Sequence, residues 1–138
     1  MNKIIAIAPP KAQALLEKDS SAILIDIRSS MEFLFIGHPV NAVHIAWLDD
    51  PDWEINPNFY NEVKYAAKKR SPKHFANIPI LLICRSGNRT KQAGQLLLTS
   101  GFNNVFDIEG GFEGEKNQKS HRSHINGWRY HDLPWEQC

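Results

Sequence analysis

Cys84 is followed by Arg85, Ser86, Gly87, Asn88, Arg89 and Thr90, a polar stretch between two segments of different character. Before it runs Ile78-Pro79-Ile80-Leu81-Leu82-Ile83; after it runs Lys91 to Leu98, with the composition of a helix. A thiol where a buried strand ends and a helix begins faces main-chain N–H groups and the positive end of the helix dipole. Those groups favour the thiolate, which is the nucleophilic form of cysteine. Gly87 supplies the backbone freedom that a loop curled around one sulfur requires. Arg85, Arg89 and Lys91 add positive charge for an anionic reactant. The chemistry expected is therefore nucleophilic, with Cys84 attacking and the loop holding charge on its sulfur. The competing reading is an inert core cysteine, since free cysteines are commonly buried. Arg, Ser, Gly, Asn, Arg and Thr in succession make a poor continuation of a core strand and a good anion nest.

The elements around this loop read as alternating strands and helices. Ile4 to Ala8 suits a short edge strand, and Lys11 to Lys18 a short helix with proline at its start. Ala22 to Ile27 is a continuous apolar run that ends in charge, the pattern of a strand buried on both faces. Ser29 to Ile36 reads as a brief helix, with Ser29 and Glu32 spaced as a capping box and Gly37 as its stop. Ala42 to Ile45 suits another short strand, and the loop from Trp47 leads to a helix opened by Asn56-Pro57. That helix runs to about Arg70 with Phe59, Val63 and Ala66 or Ala67 inward. Ile78 to Ile83 is the second strongly buried strand, the helix after the cysteine loop stops at Gly101, and Asn104 to Ile108 is a further strand. Apolar strands without period-two alternation, separated by helices, predict an α/β fold with a mostly parallel central sheet flanked by helices on both faces. Sites in such folds lie at the carboxyl ends of the strands, where Asp26, Arg28 and Cys84 all fall.

A chain of 138 residues is the size of one domain, and 42% hydrophobic residues suffice for a core. Sixteen basic against fifteen acidic residues leave a net charge of +1, which argues against nucleic acid or an anionic membrane as a general partner. The apolar stretch after Met1 is too short for a signal peptide, and no run reaches the length of a membrane span. Two cysteines, Cys84 and Cys138, do not make a disulfide framework, so a reduced, cytoplasmic setting is expected. Residues 113–124 are charged and polar, and read as a mobile surface insertion within a single domain spanning residues 1–138. His121, His124, His131 and Cys138 match no zinc spacing, and no metal or organic cofactor is expected.

The segment Cys84-Arg85-Ser86-Gly87-Asn88-Arg89-Thr90 resembles the active-site loop of rhodanese-type sulfurtransferases. Other pieces resemble that family in the same order: Asp26-Ile27-Arg28 with Glu32-Phe33, Gly37-His38 through Ile45, Ser100 to Val105, Glu109 to Phe112, Gly127-Trp128 and Leu133-Pro134-Trp135. The departures are Pro39-Val40-Asn41 in the turn before Ala42 and the polar insertion, neither of which is expected to touch the sulfur site. The resemblance implies a three-layer rhodanese-like fold and a cofactor-free reaction. Cys84 would take the outer sulfur of a donor such as thiosulfate, become a persulfide, and pass that sulfur to a nucleophile, cyanide in the usual assay and a thiol or protein in the cell. Residues 85 to 90 would bind the anionic donor, with Asp26 and Arg28 beside them either lining the pocket or forming a structural ion pair.

Three alternatives share this sequence. One is a persulfide relay that serves a protein partner, and another is an interaction domain without catalysis. The third is a phosphatase, because related cell-cycle phosphatases and arsenate reductases carry a cysteine loop too. Theirs is Cys-x5-Arg and encloses a tetrahedral oxyanion, whereas Cys84-x4-Arg89 is one residue shorter and fits a single sulfur better. Trp47 reads as a pocket wall or as core, and Cys138 as a frayed terminal residue or a resolving thiol.

Overall fold

The computed structural model describes residues 2–138. Five strands form one parallel sheet: β1 (Ile5–Ile7), β2 (Ile23–Asp26), β4 (Val43–His44), β5 (Ile80–Ile83) and β6 (Val105–Ile108), in the order β1-β6-β5-β2-β4. Two short strands, β3 (His38–Pro39) and β7 (Trp135–Glu136), pair antiparallel beside it. Three helices complete the core: α1 (Pro9–Lys18), α2 (Phe59–Arg70) and α3 (Arg89–Thr99). The α/β architecture read from the sequence is the one observed.

Why the central strands are apolar throughout follows from the two clusters they feed. Ile23, Ile25 and Ile27, with Ile80, Leu82 and Cys84, point to one face, where α2 brings Phe59, Val63 and Ala67 and α3 brings Ala93 and Leu97. Leu24, Leu81, Ile83 and Ile108 point to the other, against Ala12, Leu15 and Leu16 of α1 and against Phe112 and Trp128. Successive side chains alternate between faces, and both faces are covered, so no position calls for a polar residue. Cys84 continues the helix-facing row by two residues beyond Leu82, which is why its sulfur emerges beneath the start of α3.

Local signals explain the boundaries. Pro9 and Pro10 occupy the first turn of α1, where missing N–H groups cost nothing. The brief helix expected after β2 is a widened, π-helical turn over Glu32–Ile36. The Ser29 N–H donates to Glu32 Oε1 at 3.2 Å and the Glu32 N–H donates to Ser29 Oγ at 3.3 Å, the reciprocal pattern of a capping box. Gly37 ends the turn at φ 116°, and a side chain there would strike the Trp135 ring. The aromatic tail docks as expected at Trp128, which is fully buried with its indole N–H donating to Pro134 O at 2.9 Å. Trp47 belongs to the core and meets Phe59 edge to face at 5.0 Å, so it forms no pocket wall.

Residues 113–124 depart from the expected mobile insertion. Glu113 is buried, and the Glu113 and Gly114 N–H groups donate to Arg85 O at 2.9 and 3.1 Å. Ser123 N–H donates back to Glu113 O at 2.7 Å, and Arg122 reaches Gly114 O at 2.6 Å. The stem of this segment is therefore part of the cysteine loop's support; its main-chain polar groups find partners that its side-chain composition did not reveal.

Candidate active site

Cys84 follows β5, and its carbonyl is held from below by the N–H of Phe112 at 2.7 Å. With Glu113 and Gly114 holding Arg85 O, the two residues that launch the loop are fixed by the turn that follows β6. Gly111 makes this approach possible: a Cβ at that position would lie against Cys84 O and within 2.7 Å of the Arg85 carbonyl. The loop then turns at Gly87, which sits at φ 103°, and enters α3 at Arg89. At the centre the Gly87 N–H donates to Cys84 Sγ at 3.1 Å, and Thr90 Oγ1 lies 3.9 Å from the same sulfur.

Main-chain donation to sulfur was expected, and one such bond is present. The sulfur is covered as well as cradled, for Cys84 is only 1% exposed. The loop closes over its own cysteine, with the exposed Arg85 and Asn88 on the outside and Ser86 and Gly87 partly covered.

The cations divide sharply. Arg89 is committed: its two amino groups pair with both oxygens of Glu32 at 3.0 Å each. Burial by itself would raise the Glu32 carboxyl, but the Arg89 hydrogen bond and charge, with the Ser29 donors, hold it below the ordinary carboxylate range. The Arg89 guanidinium, which burial would push down, is held up by the same pairing and by Cys84 and Asp26. Arg28 is committed as well. Its guanidinium grips Asp26 through contacts of 2.9 and 2.6 Å, both side chains are fully buried, and the group stacks 4.4 Å from the Phe112 ring centre. Of the two readings of Asp26 and Arg28, the ion pair is present and fully buried, so neither side chain is exposed to a donor anion in this structure. Arg85 is the exposed cation of the loop.

Two acidic residues of this neighbourhood were not read as part of the site. Glu32 was read as a cap and as part of a segment resembling the family, not as a partner of Arg89. Asp107 receives the Thr90 hydroxyl at 2.7 Å and so sits one residue removed from the sulfur. Burial raises its carboxyl above the ordinary range, against the pull of Thr90 and Lys91 and with a further push from Glu109. Its signal in the sequence was an acid inside an otherwise apolar strand. His38 and His44 stack on Phe33 and bond to the carbonyls of Phe33 and Arg28, so they serve the scaffold. Among the described residues, no three His, Cys, Asp or Glu side chains are grouped to hold a metal ion, and no helix is long and apolar enough to cross a membrane. A cleft lined by Leu16, Ala22, Ala42 and Arg70 lies near the starts of β2 and β4, at the far end of the sheet from the sulfur.

The Glu32–Arg89 pair gives a pH-dependent prediction. Since the folded-state Glu32 binds its proton less tightly than the unfolded one, the pair's contribution is present above the unfolded value and is lost as pH falls through the lower folded value. Glu32→Gln should cost about 1–3 kcal/mol at neutral pH, and the deficit should shrink in acid. Urea midpoints at neutral and acidic pH check this; a deficit that does not change with pH rejects it.

Comparison with known proteins agrees with this fold. The solved structure of Rv0390 from M. tuberculosis superposes with a TM-score of 0.80 at 31% identity, over 96% of this chain and 97% of that one. The polysulfide-sulfur transferase homodimer of Wolinella succinogenes shares the fold at a TM-score of 0.63 and 20% identity, over 98% of this chain and 80% of that one. The uncharacterized protein RC0915 of Rickettsia conorii is 29% identical over 132 residues, 94% of this chain and 95% of its own length. A family model for the rhodanese-like domain matches residues 8–118, from the start of α1 through the cysteine loop to the segment that braces it, and this chain belongs to the rhodanese-like domain family.

Proposed function

We propose that this protein is a sulfurtransferase that carries sulfane sulfur as a persulfide on Cys84. The observation that carries the reading is the Gly87 N–H directed at Cys84 Sγ inside a loop braced by residues 111–114. Such a donor stabilises negative charge on sulfur, whether on the thiolate or on the persulfide that replaces it. With thiosulfate, the Cys84 thiolate attacks the outer sulfur, a Cys–S–S bond forms, and the donor's S–S bond breaks. Sulfite leaves with the bonding pair. A nucleophile such as cyanide then takes the terminal sulfur and returns the thiolate. Exposed Arg85 attracts the anionic donor, and residues 86 to 90 shape the loop that receives it. Arg89, Arg28 and Asp26 act indirectly, by fixing where the loop starts and ends. Because the sulfur is covered, turnover requires the exposed side of the loop, Arg85 to Asn88, to part.

A second reading, a relay that exchanges sulfur with another protein, is favoured by one feature. Met31 and Phe35 are 56% and 59% exposed on the turn whose Glu32 grips Arg89. Apolar side chains of this size beside a covered nucleophile suit a partner that docks as it delivers or removes sulfur.

Incubation with thiosulfate followed by intact-mass measurement tests both readings at their common step. The native chain should gain one sulfur atom, and Cys84→Ser should gain none. Release of that sulfur to cyanide and small thiols supports the small-molecule enzyme, while release only to a protein acceptor supports the relay. A sulfur retained by Cys84→Ser, or Cys84-dependent hydrolysis of an aryl phosphate, removes the assignment.

A further inference from the structure

The Thr90 hydroxyl has one proton and three neighbours that can accept it: Asp107, the Gly87 carbonyl and the Cys84 sulfur. Its oxygen is 2.7 Å from Asp107 Oδ1, 3.9 Å from Cys84 Sγ and 3.2 Å from Gly87 O. Thr90 is fully buried, Asp107 and Cys84 nearly so, and water has little room to intervene. We propose that Asp107 governs the reactivity of Cys84 through the Thr90 hydroxyl, as a positioning residue.

The hydrogen-bond inventory of the three groups carries the proposal. An ionised carboxylate has no proton to give, so Thr90 must donate to Asp107. The hydroxyl then offers only lone pairs to sulfur, which suits a thiol that donates S–H and disfavours a thiolate or persulfide anion. When Asp107 takes up a proton it can donate to Thr90 Oγ1, and the Thr90 proton is free to turn toward sulfur. Charge acts in the same sense, since the Asp107 anion opposes a second anion on Cys84. The charged groups facing Asp107 are Lys91 of α3 and Glu109 just beyond β6. The neighbouring strands present Ala6 and Leu82 at its level, and Arg89 is the cation within electrostatic reach of Cys84.

The biological meaning depends on Cys84 being the sulfur carrier, as proposed above, but the test does not. In a Cys138→Ser background, where Cys84 alone reports, the rate of iodoacetamide alkylation is followed from about pH 4 to about pH 10. Asp107→Asn, which keeps the shape and removes the charge, should move the profile to lower pH by about one unit, an acceleration of about tenfold on its acid flank. With Thr90→Val the same Asp107→Asn change should move the profile less than about half as far, and with Thr90→Ser the full displacement should return. A merely structural Asp107 would alter the melting temperature and leave the profile in place.

Coincident profiles for the native and Asp107→Asn proteins overturn the proposal, as does a displacement undiminished by Thr90→Val. Should Asp107→Asn not fold, the native profile suffices. Coupling imposes a second inflection on the acid side, and a curve that follows one ionisation throughout overturns the proposal. Thiosulfate loading is scored separately. A displaced profile without loading defeats the sulfur-transfer reading alone, and loading without displacement defeats the Asp107 coupling alone.

Discussion

Gly111→Ala is expected to misplace the Cys84 loop and to reduce thiosulfate-dependent sulfur uptake by about a hundredfold, the scale on which an ångström-sized misplacement acts. Gly111 sits at φ 62° with the Cys84 and Arg85 main chain against it, so that an added Cβ would lie within 2.7 Å of the Arg85 carbonyl. No side-chain rotation relieves contact with main chain. The left-handed backbone adds about 1–2 kcal/mol for a residue with a Cβ, and overpacking adds about 1–3 kcal/mol. Part of that strain can be released only by moving Cys84 and Arg85 away, which breaks the bonds from Phe112, Glu113 and Gly114. The Gly87 donor then no longer meets the sulfur. Gly101→Ala is the comparison: it has φ 110° but open space around it, so it should lower stability while leaving uptake per folded molecule unchanged. Equal uptake by folded Gly111→Ala and the native chain would show that bracing from this side is immaterial.

Arg28→Ala should be the most destabilising polar-to-apolar change in the molecule. It removes the guanidinium from Asp26 and from Gly37 O and leaves a carboxylate buried beneath the site. Breaking a buried pair from one side costs about 3–5 kcal/mol, a large part of the about 5–15 kcal/mol that holds an ordinary domain together. The Phe112 ring also loses the cation stacked on it. Arg28→Lys keeps charge without the two-pronged grip and should fall between. Removing both partners, Asp26→Leu with Arg28→Leu, should be less harmful than Arg28→Ala alone, because no lone charge remains. Urea unfolding of the four proteins measures this. Arg28→Ala within about 1 kcal/mol of the native chain would show that Asp26 finds another partner.

Gly111 and Arg28 both act on the loop from outside it, the first read in sulfur uptake and the second in stability. The loop contributes its cysteine, one main-chain donor and the exposed Arg85, while its placement depends on groups from three other parts of the chain. Glu32 holds the start of α3, Gly111 to Gly114 hold the strand exit, and Asp26 with Arg28 sit fully buried at the end of the adjacent strand β2. The roles of the cations are separate: Arg85 is exposed, whereas Arg89 and Arg28 are paired with Glu32 and Asp26.

Much of the architecture was legible in one dimension. Apolar runs at Ala22 to Ile25 and Ile78 to Ile83 suit strands covered on both faces, and Phe59, Val63 and Ala67 mark the inner stripe of α2. Ser29 with Glu32 marked a cap, and Cys84 with its polar successors marked the strand-to-helix loop, because each is a local pattern with a local physical cause. Contacts between distant segments left no such trace. Whether Glu32 merely caps a turn or also captures Arg89, 57 residues away, is decided by packing. The same holds for Asp107 meeting Thr90, for Arg28 lying under Phe112, and for the polar stretch 113–124 folding its stem against Arg85. Propensity and periodicity report on neighbours along the chain. The partner of a charge, and whether a loop leaves its own sulfur open or covered, depend on which segments the sheet brings side by side.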